Sequence, residues 1–460
     1  MHVYGNIREM YEDLAGIAEV AGPRVRVLDA EGLRGRADRL AAAAAFGSAE
    51  VRSAAAWLLR AAAADLGAWA ASIHPLYMAR ARGEWGGHVV PALNMRFGYP
   101  QIRAAMRAAL DLEVGLVTFE IARSEMGYTE TRPQEYASGV FAAAIREGWT
   151  GPLFIQGDHF QVDAKRFATE PEPELADIEA LIDEAIAAGF YNIDLDSSTL
   201  VDLSRPTVDE QQRPNYEVAV RLAGRVRGSQ PEGLVISIGG EIGEVGKQNS
   251  TVEELDAYVT GFERLAAERD LRPGLSKVSV QTGTSHGGIV LPDGSVAPVN
   301  IDFETLRELS HVARERYGMA GAVQHGASTL PSELFDRFPP LEVAEIHLAT
   351  GYQNVTFESE HFPSDLRERM YAWVRQQFPG EPGREYTTDA QLLYKERKRA
   401  IGPFKRELWD VPDERWEGIR ADLRSILTTH FTKLGVAGTR ELVARHLPRL
   451  DVPIAPPFAA

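Results

Sequence analysis

From residue 88 onward the chain alternates eight short, mostly apolar runs with amphipathic stretches, and this rhythm constrains its fold more than any other feature. The runs are HVVPALN (88 to 94), VGLVTFE (114 to 120), PLFIQGD (152 to 158), YNIDLD (191 to 196), LVISIGGE (234 to 241), KVSVQTG (277 to 283), GAVQHG (321 to 326) and AEIHLAT (344 to 350). Between them the pattern predicts helices over 98 to 112, 133 to 147, 173 to 189, 214 to 227, 252 to 268 and 303 to 317, several with Pro, Asp, Ser or Thr near the start. Regular strand and helix alternation points to βα units on a parallel sheet, and eight of them suit a closed (β/α)8, or TIM, barrel better than an open doubly wound sheet. No fixed-period repeat is visible in the sequence.

The ends read differently. Residues 1 to 85 are expected to be mostly helix, including the Ala-rich run from Ala41 to Ala71, whose apolar residues are too dense for an exposed face. Residues 365 to 450 are helical and charge-rich in pattern, and PIAPPFAA is expected to be a loose tail. The expected division is a helical N-terminal extension over 1–85, a barrel over 86–362 that carries the chemistry, and a helical C-terminal extension over 363–460.

Composition narrows the chemistry. Lys and Arg number 49 against 66 Asp and Glu, and the net charge of -17 disfavours nucleic acid and anionic membranes as partners. With no cysteine, any metal must sit on His, Asp and Glu. No stretch reaches the ~18 apolar residues a membrane span requires, and nothing near residue 1 has an apolar signal core, so a cytoplasmic location is the expectation.

Catalytic groups of such barrels sit where the strands end. Asn94 ends the first run, Glu120 the second, Asp158 and His159 the third, Asp196 the fourth and Glu241 the fifth; His286 follows the sixth, and His325 and Thr350 belong to the last two. One such histidine alone is more often structural than ligating. Three at strand ends suit Zn2+, Mn2+ or Co2+ with a position open to substrate, and such a cation can chelate a hydroxy-ketone. Of the other histidines only His347 shares this rim; His2, His74, His88, His311, His361, His430 and His446 lie outside strand ends.

The segments GDHFQ, NIDLDSSTL, GGEIGEVG, QTGTSHGG, QHGASTLP and IHLATGYQ, in that order, resemble the motifs of class II (metal-dependent) fructose-bisphosphate and tagatose-bisphosphate aldolases over about residues 88 to 360. The resemblance implies reversible cleavage of a ketose (bis)phosphate or related hydroxy-ketone through a metal-stabilised enediolate. It implies His159, His286 and His325 as ligands of Zn2+ or another divalent cation, with Glu241 as a ligand or alternative ligand and Asp196 beside the metal or an alternative metal position. Asp158 becomes the general acid/base at the C4 hydroxyl. Gly287, Gly326, Ser328 and Thr350 fit the phosphate end, and Asn94, Glu120 and His347 complete the substrate rim. The family's habit of assembling, with helical additions at both ends, leads to the expectation of a homo-oligomer.

The departures from that pattern also count. EIGEVGKQNSTVEEL runs almost directly into a helix where the family has a longer loop with a proton-exchanging acid, and HGGIVLPDG lacks the family's Tyr-Lys, a cationic phosphate contact. His347, Leu348, Ala349 and Thr350 replace Asn-Ile-Asp-Thr, and Glu120 and Ala122 replace Gln and Ser. A ketose monophosphate or an unphosphorylated hydroxy-keto compound is therefore a candidate substrate. A second likeness competes: FEIARSEMGYTETRPQEYA resembles the accessory, non-catalytic subunit associated with tagatose-bisphosphate aldolase, making Glu120, Ser124, Tyr128 and Thr129 either site wall or inherited loop. The alternative function is accordingly a barrel that stabilises a partner aldolase. A Schiff-base mechanism would need an interior lysine, and Lys277, the one strand lysine, stands at the start of its strand.

Overall fold

The computed structural model describes residues 3–243, 248–283, 290–295, 297, 301–379, 386, 388–450, 452 and 454–457. Eleven strands are present among them: β1 (Ala18–Ala21), β2 (Arg24–Val27), β3 (Ala68–Ala71), β4 (Val90–Asn94), β5 (Thr118–Ala122), β6 (Gly151–Gln161), β7 (Asn192–Asp196), β8 (Ser237–Glu241), β9 (Lys277–Val280), β10 (Ala322–Gln324) and β11 (Glu345–Leu348). Each of the eight sequence runs contains or overlaps one of β4 to β11. Their neighbours are β6-β5-β4-β11-β10-β9-β8-β7, and β6 also pairs with β7, which closes an eight-stranded parallel barrel.

Helices form where caps and periodicity agree. The helix Pro133–Glu147 starts with Pro in its first turn and stops at Gly148, whose φ of 76° is the left-handed cap that glycine adopts without a Cβ penalty. Val252–Glu268 is opened by a capping box between Thr251 and Glu254. Pro214, which reads as a helix start, instead lies inside Val208–Ser229, because Thr207 and Glu210 form a capping box one turn and more upstream.

The N-terminal segment is mostly helix, with two exceptions. The Ala-rich run is broken at Gly47, with Ser48 capping the helix Ala49–Asp65, and its last residues are not helical at all. They form β3, which pairs in parallel with the early part of β6 (Ala68 with Gly151, Ala71 with Phe154), on the edge that β7 occupies further along. β1 and β2 make a small hairpin around Gly22 and Pro23. The tail is tethered where Trp57 Nε1 donates to the Ile454 carbonyl at 3.1 Å.

The barrel interior is polar as well as closed. Gln156, Asn192, Asp194, Lys277 and Glu345 are all buried there. Lys277 Nζ donates to Gln156 Oε1 at 2.9 Å and Asp194 Oδ2 at 3.0 Å and pairs with Glu345. Gly239 makes room for this, since a Cβ on it would overlap the Asp194 carboxylate. Among the described residues no helix is long and apolar enough to cross a membrane.

Candidate active site

Successive residues of a strand face opposite sides, so Asp158 and His159 should not share a site. A bulge resolves this: between Gly157 and Phe160 the β6 register gains one residue on β7, and His159 takes a φ of 39°. Both side chains then reach the carboxyl-end rim, where β7 presents Asp196, β8 presents Glu241, β11 presents His347 and His325 follows β10.

The imidazoles pack in a row. The His325 ring lies 4.3 Å from that of His159 and 4.1 Å from that of His347, centre to centre. His159 Nε2 faces His325 Nδ1 at 3.1 Å. On the far side of each ring, His159 Nδ1 meets Asp196 Oδ2 and Glu241 Oε2, both at 3.0 Å, and His325 Nε2 meets Ser279 Oγ at 3.0 Å. Asp196 is itself held by the amide of Gln161 at 2.5 Å and the hydroxyl of Ser198 at 2.7 Å. His347 has carboxylates on both nitrogens: Glu120 and Asp158 at 3.1 Å from Nδ1, Glu345 at 2.7 Å from Nε2.

This gathering of acids shifts protons. Burial together with the Asp158 charge pushes Glu120 up to about 7, and burial with the Asp196 charge does the same to Glu241. Burial opposes charge on His159 and His347, yet the facing carboxylates hold both well above the usual imidazole range. The rim is a negative pocket that attracts positive charge.

The residues fit a divalent cation. His159, Glu241 and His325 offer one ligand atom each within 4.8 Å of one another, as do Asp158, His325 and His347. Zinc–nitrogen bonds of ~2.05 Å at tetrahedral angles put two ligating nitrogens about 3.3 Å apart, close to the 3.1 Å between His159 and His325. Carboxylates on the outer nitrogen of His159 hold a proton on Nδ1, so a cation that displaces the proton from Nε2 would meet that nitrogen's lone pair, the arrangement that supports a ligating imidazole. His347, the third member of that second group, has carboxylate oxygens within 3.1 Å of both its nitrogens, whereas the inward nitrogen of His159 has its nearest carboxylate oxygen at 3.7 Å.

A cavity of about 830 Å³ opens onto this rim. Of the residues singled out from sequence, Asn94, Glu120, Asp158, His159, His325, Gly326, Ser328, His347 and Thr350 line it. Asp196 and Glu241 stand behind His159, and His286 and Gly287 lie outside the described residues. Ser124 and Tyr128 are part of the wall, whereas Thr129 is buried beside it. Arg96, Glu125 and Lys398 also belong to the lining and were not anticipated. Arg96 follows Asn94 by two and could have been found from that spacing; Lys398 carries no local signal.

A parallel barrel with imidazoles and carboxylates gathered at the carboxyl ends of its strands is the class of protein that this fold and site define. Residues 79–400 match the family described as fructose-bisphosphate aldolase class-II, and the chain belongs to that family. Among solved structures it is similar to a probable tagatose 6 phosphate kinase from Sinorhizobium meliloti 1021, at 18% identity and a TM-score of 0.51, covering 80% of this chain and 94% of that one. It is also similar to fructuronate-tagaturonate epimerase UxaE from Cohnella laeviribosi, at 13% identity and a TM-score of 0.54, over 76% and 82% of the two chains. These two likenesses show the fold. A fructose-bisphosphate aldolase (Fba) from Campylobacter jejuni matches at 15% identity and a TM-score of 0.48, over 81% and 96%. No curated protein matches the chain.

Proposed function

We propose that the chain is a divalent-metal-dependent aldolase that cleaves a ketose phosphate or related hydroxy-ketone reversibly, with residues 86–362 as the catalytic barrel and 1–85 and 363–460 as additions to it. The observation that carries this reading is the pair of inward nitrogens of His159 and His325 at 3.1 Å, backed by Asp196, Glu241 and Ser279 on their outer sides. His159 and His325 would hold the cation with Glu241, and His286 is assigned beside them by motif. A divalent cation there polarises the substrate carbonyl and stabilises the negative charge that develops as the carbon–carbon bond breaks.

Asp158 is the acid/base. Its Oδ1 accepts from His347 Nδ1 at 3.1 Å, so the charged imidazole orients the carboxylate at the cavity and keeps it ready to take the substrate hydroxyl proton. Glu120, with its pKa near 7, shares that imidazole and can hold a proton at neutral pH. Glu345 below fixes the other face of His347.

The Schiff-base route lacks a neutral amine. Burial works against charge on Lys277, but Asp194 and Glu345 raise it to about 12. The accessory-subunit reading is disfavoured because a scaffold gains nothing from burying so many polar groups together. The test is metal analysis and a cleavage assay of the isolated chain with ketose phosphates, before and after chelation. Turnover that disappears with the metal and returns with Zn2+, Mn2+ or Co2+ is expected; turnover indifferent to chelation, or a loaded chain active only through a partner, would overturn the assignment.

A further inference from the structure

The cavity wall away from the imidazoles carries positive charge that the cleavage chemistry does not use. Arg96 is pinned there: Nε donates to Glu125 at 2.7 Å and Nη1 to Gln353 at 2.6 Å, while Nη2 makes no hydrogen bond among the described residues. Lys398 reaches the same cavity from the turn Arg397–Ala400, beyond the last barrel strand. That turn is clamped. Arg397 Nη2 donates to Asn354 at 2.7 Å and Glu358 at 2.8 Å, and the Gly402 N–H donates to the Tyr128 carbonyl at 3.1 Å.

The Lys398 ammonium lies 5.6 Å from the centre of the Tyr128 ring and forms no ion pair or hydrogen bond among the described residues. Arg123 and Arg166, which line the cavity too, are ion-paired, Arg123 with Glu174 and Arg166 with Glu174 and Asp177. Lys165, on the same lining, is exposed to solvent, whereas Lys398 is buried enough that burial, with Arg96 close by, pushes it down to about 8. A desolvated ammonium held rigidly in a cavity gains most from a bound anion.

We propose that Lys398 and Arg96 form a subsite for the acidic end of the substrate, a phosphate or a carboxylate, so that the C-terminal segment selects an acidic sugar over a neutral one. The identity of the reaction rests on the aldolase reading; capture of the anion does not.

Calorimetric titration of the metal-stripped full chain at neutral pH with inorganic phosphate and, separately, glycolate tests this. Saturable binding of at least one is expected, weakened about tenfold or more by Lys398→Met and kept by Lys398→Arg; phosphate alone marks a sugar phosphate and glycolate alone a sugar acid. His159→Ala should lose metal yet bind the same anion, so failure of the aldolase assignment would leave the result readable. No binding of either anion, or a Lys398→Met protein that is folded by circular dichroism and binds like wild type, overturns the proposal.

Discussion

Nε2 of His159 faces Nδ1 of His325 across 3.1 Å, while the outer nitrogens of the two rings are occupied by Asp196 and Ser279. Two ring nitrogens at that distance need a proton or a cation between them; the raised imidazole of His159 supplies the proton in the metal-free protein, and a cation would replace it. Replacing either histidine with alanine should strip bound metal and lower cleavage by at least about 100-fold. Elemental analysis of dialysed protein beside the assay checks this, and a variant that keeps one equivalent of metal would remove these rings from the ligand set.

Asp158→Asn separates proton transfer from metal binding. The amide keeps the size and the contact with His347 but cannot take a proton, so kcat should fall by about 100-fold to 10,000-fold with metal content unchanged. Equal loss of metal and rate would make the residue a ligand rather than a base.

Metal affinity should depend on pH through Glu241. Burial and Asp196 push its carboxyl up to about 7 in the metal-free protein. Below that value a proton must leave before the carboxylate can serve, so apparent affinity rises with pH through 7, and the raised imidazole of His159 extends the rise beyond it. Competition with a chromophoric chelator across this range measures the slope; a flat profile contradicts the role given to Glu241.

Lys277→Met should be costly. It leaves the buried carboxylates of Asp194 and Glu345 without their shared ammonium, a loss of about 3–5 kcal/mol on the scale of broken buried pairs. Urea denaturation reads the change. Borohydride added with substrate should trap no adduct at this residue.

Two histidines predict acid sensitivity away from the site. Burial holds His430 and, with help from Arg227, His74 down at about 4, each against a buried hydroxyl: Tyr352 at 2.9 Å and Ser276 at 2.8 Å. The unfolded chain takes up these protons below about 6.5 and the folded chain only near 4, so stability declines as pH falls through that window. Each contributes up to about 3 kcal/mol. Denaturation midpoints of His430→Gln should decline less over the same interval; an unchanged decline would assign the effect to other groups.

Much of this was legible in the residues. The barrel runs stand out because each strand is buried on both faces and reads as a short apolar block, and the rim residues stand out because polar side chains interrupt those blocks at one end. The interior charges are readable in principle from the same period. Asn192, Asp194 and Asp196 alternate along one strand, and Glu345 lies two before His347, so a rule of period two places Asp194 and Glu345 beneath the rim. β3 hid inside an alanine-rich run because alanine favours helix in isolation, and only pairing with Gly151–Phe154 outweighs that preference.

Local pattern by itself determined the alternation of strand and helix, the closed parallel barrel it implies, and a rim of imidazoles and carboxylates without sulfur, since periodicity and side-chain chemistry act within a few residues. Tertiary structure alone decided that the β6 bulge turns both Asp158 and His159 inward, that His347 lies between carboxylates, and that Lys398 reaches the cavity from beyond the barrel. Those outcomes depend on contacts between residues far apart in the chain, whose energies no local window contains.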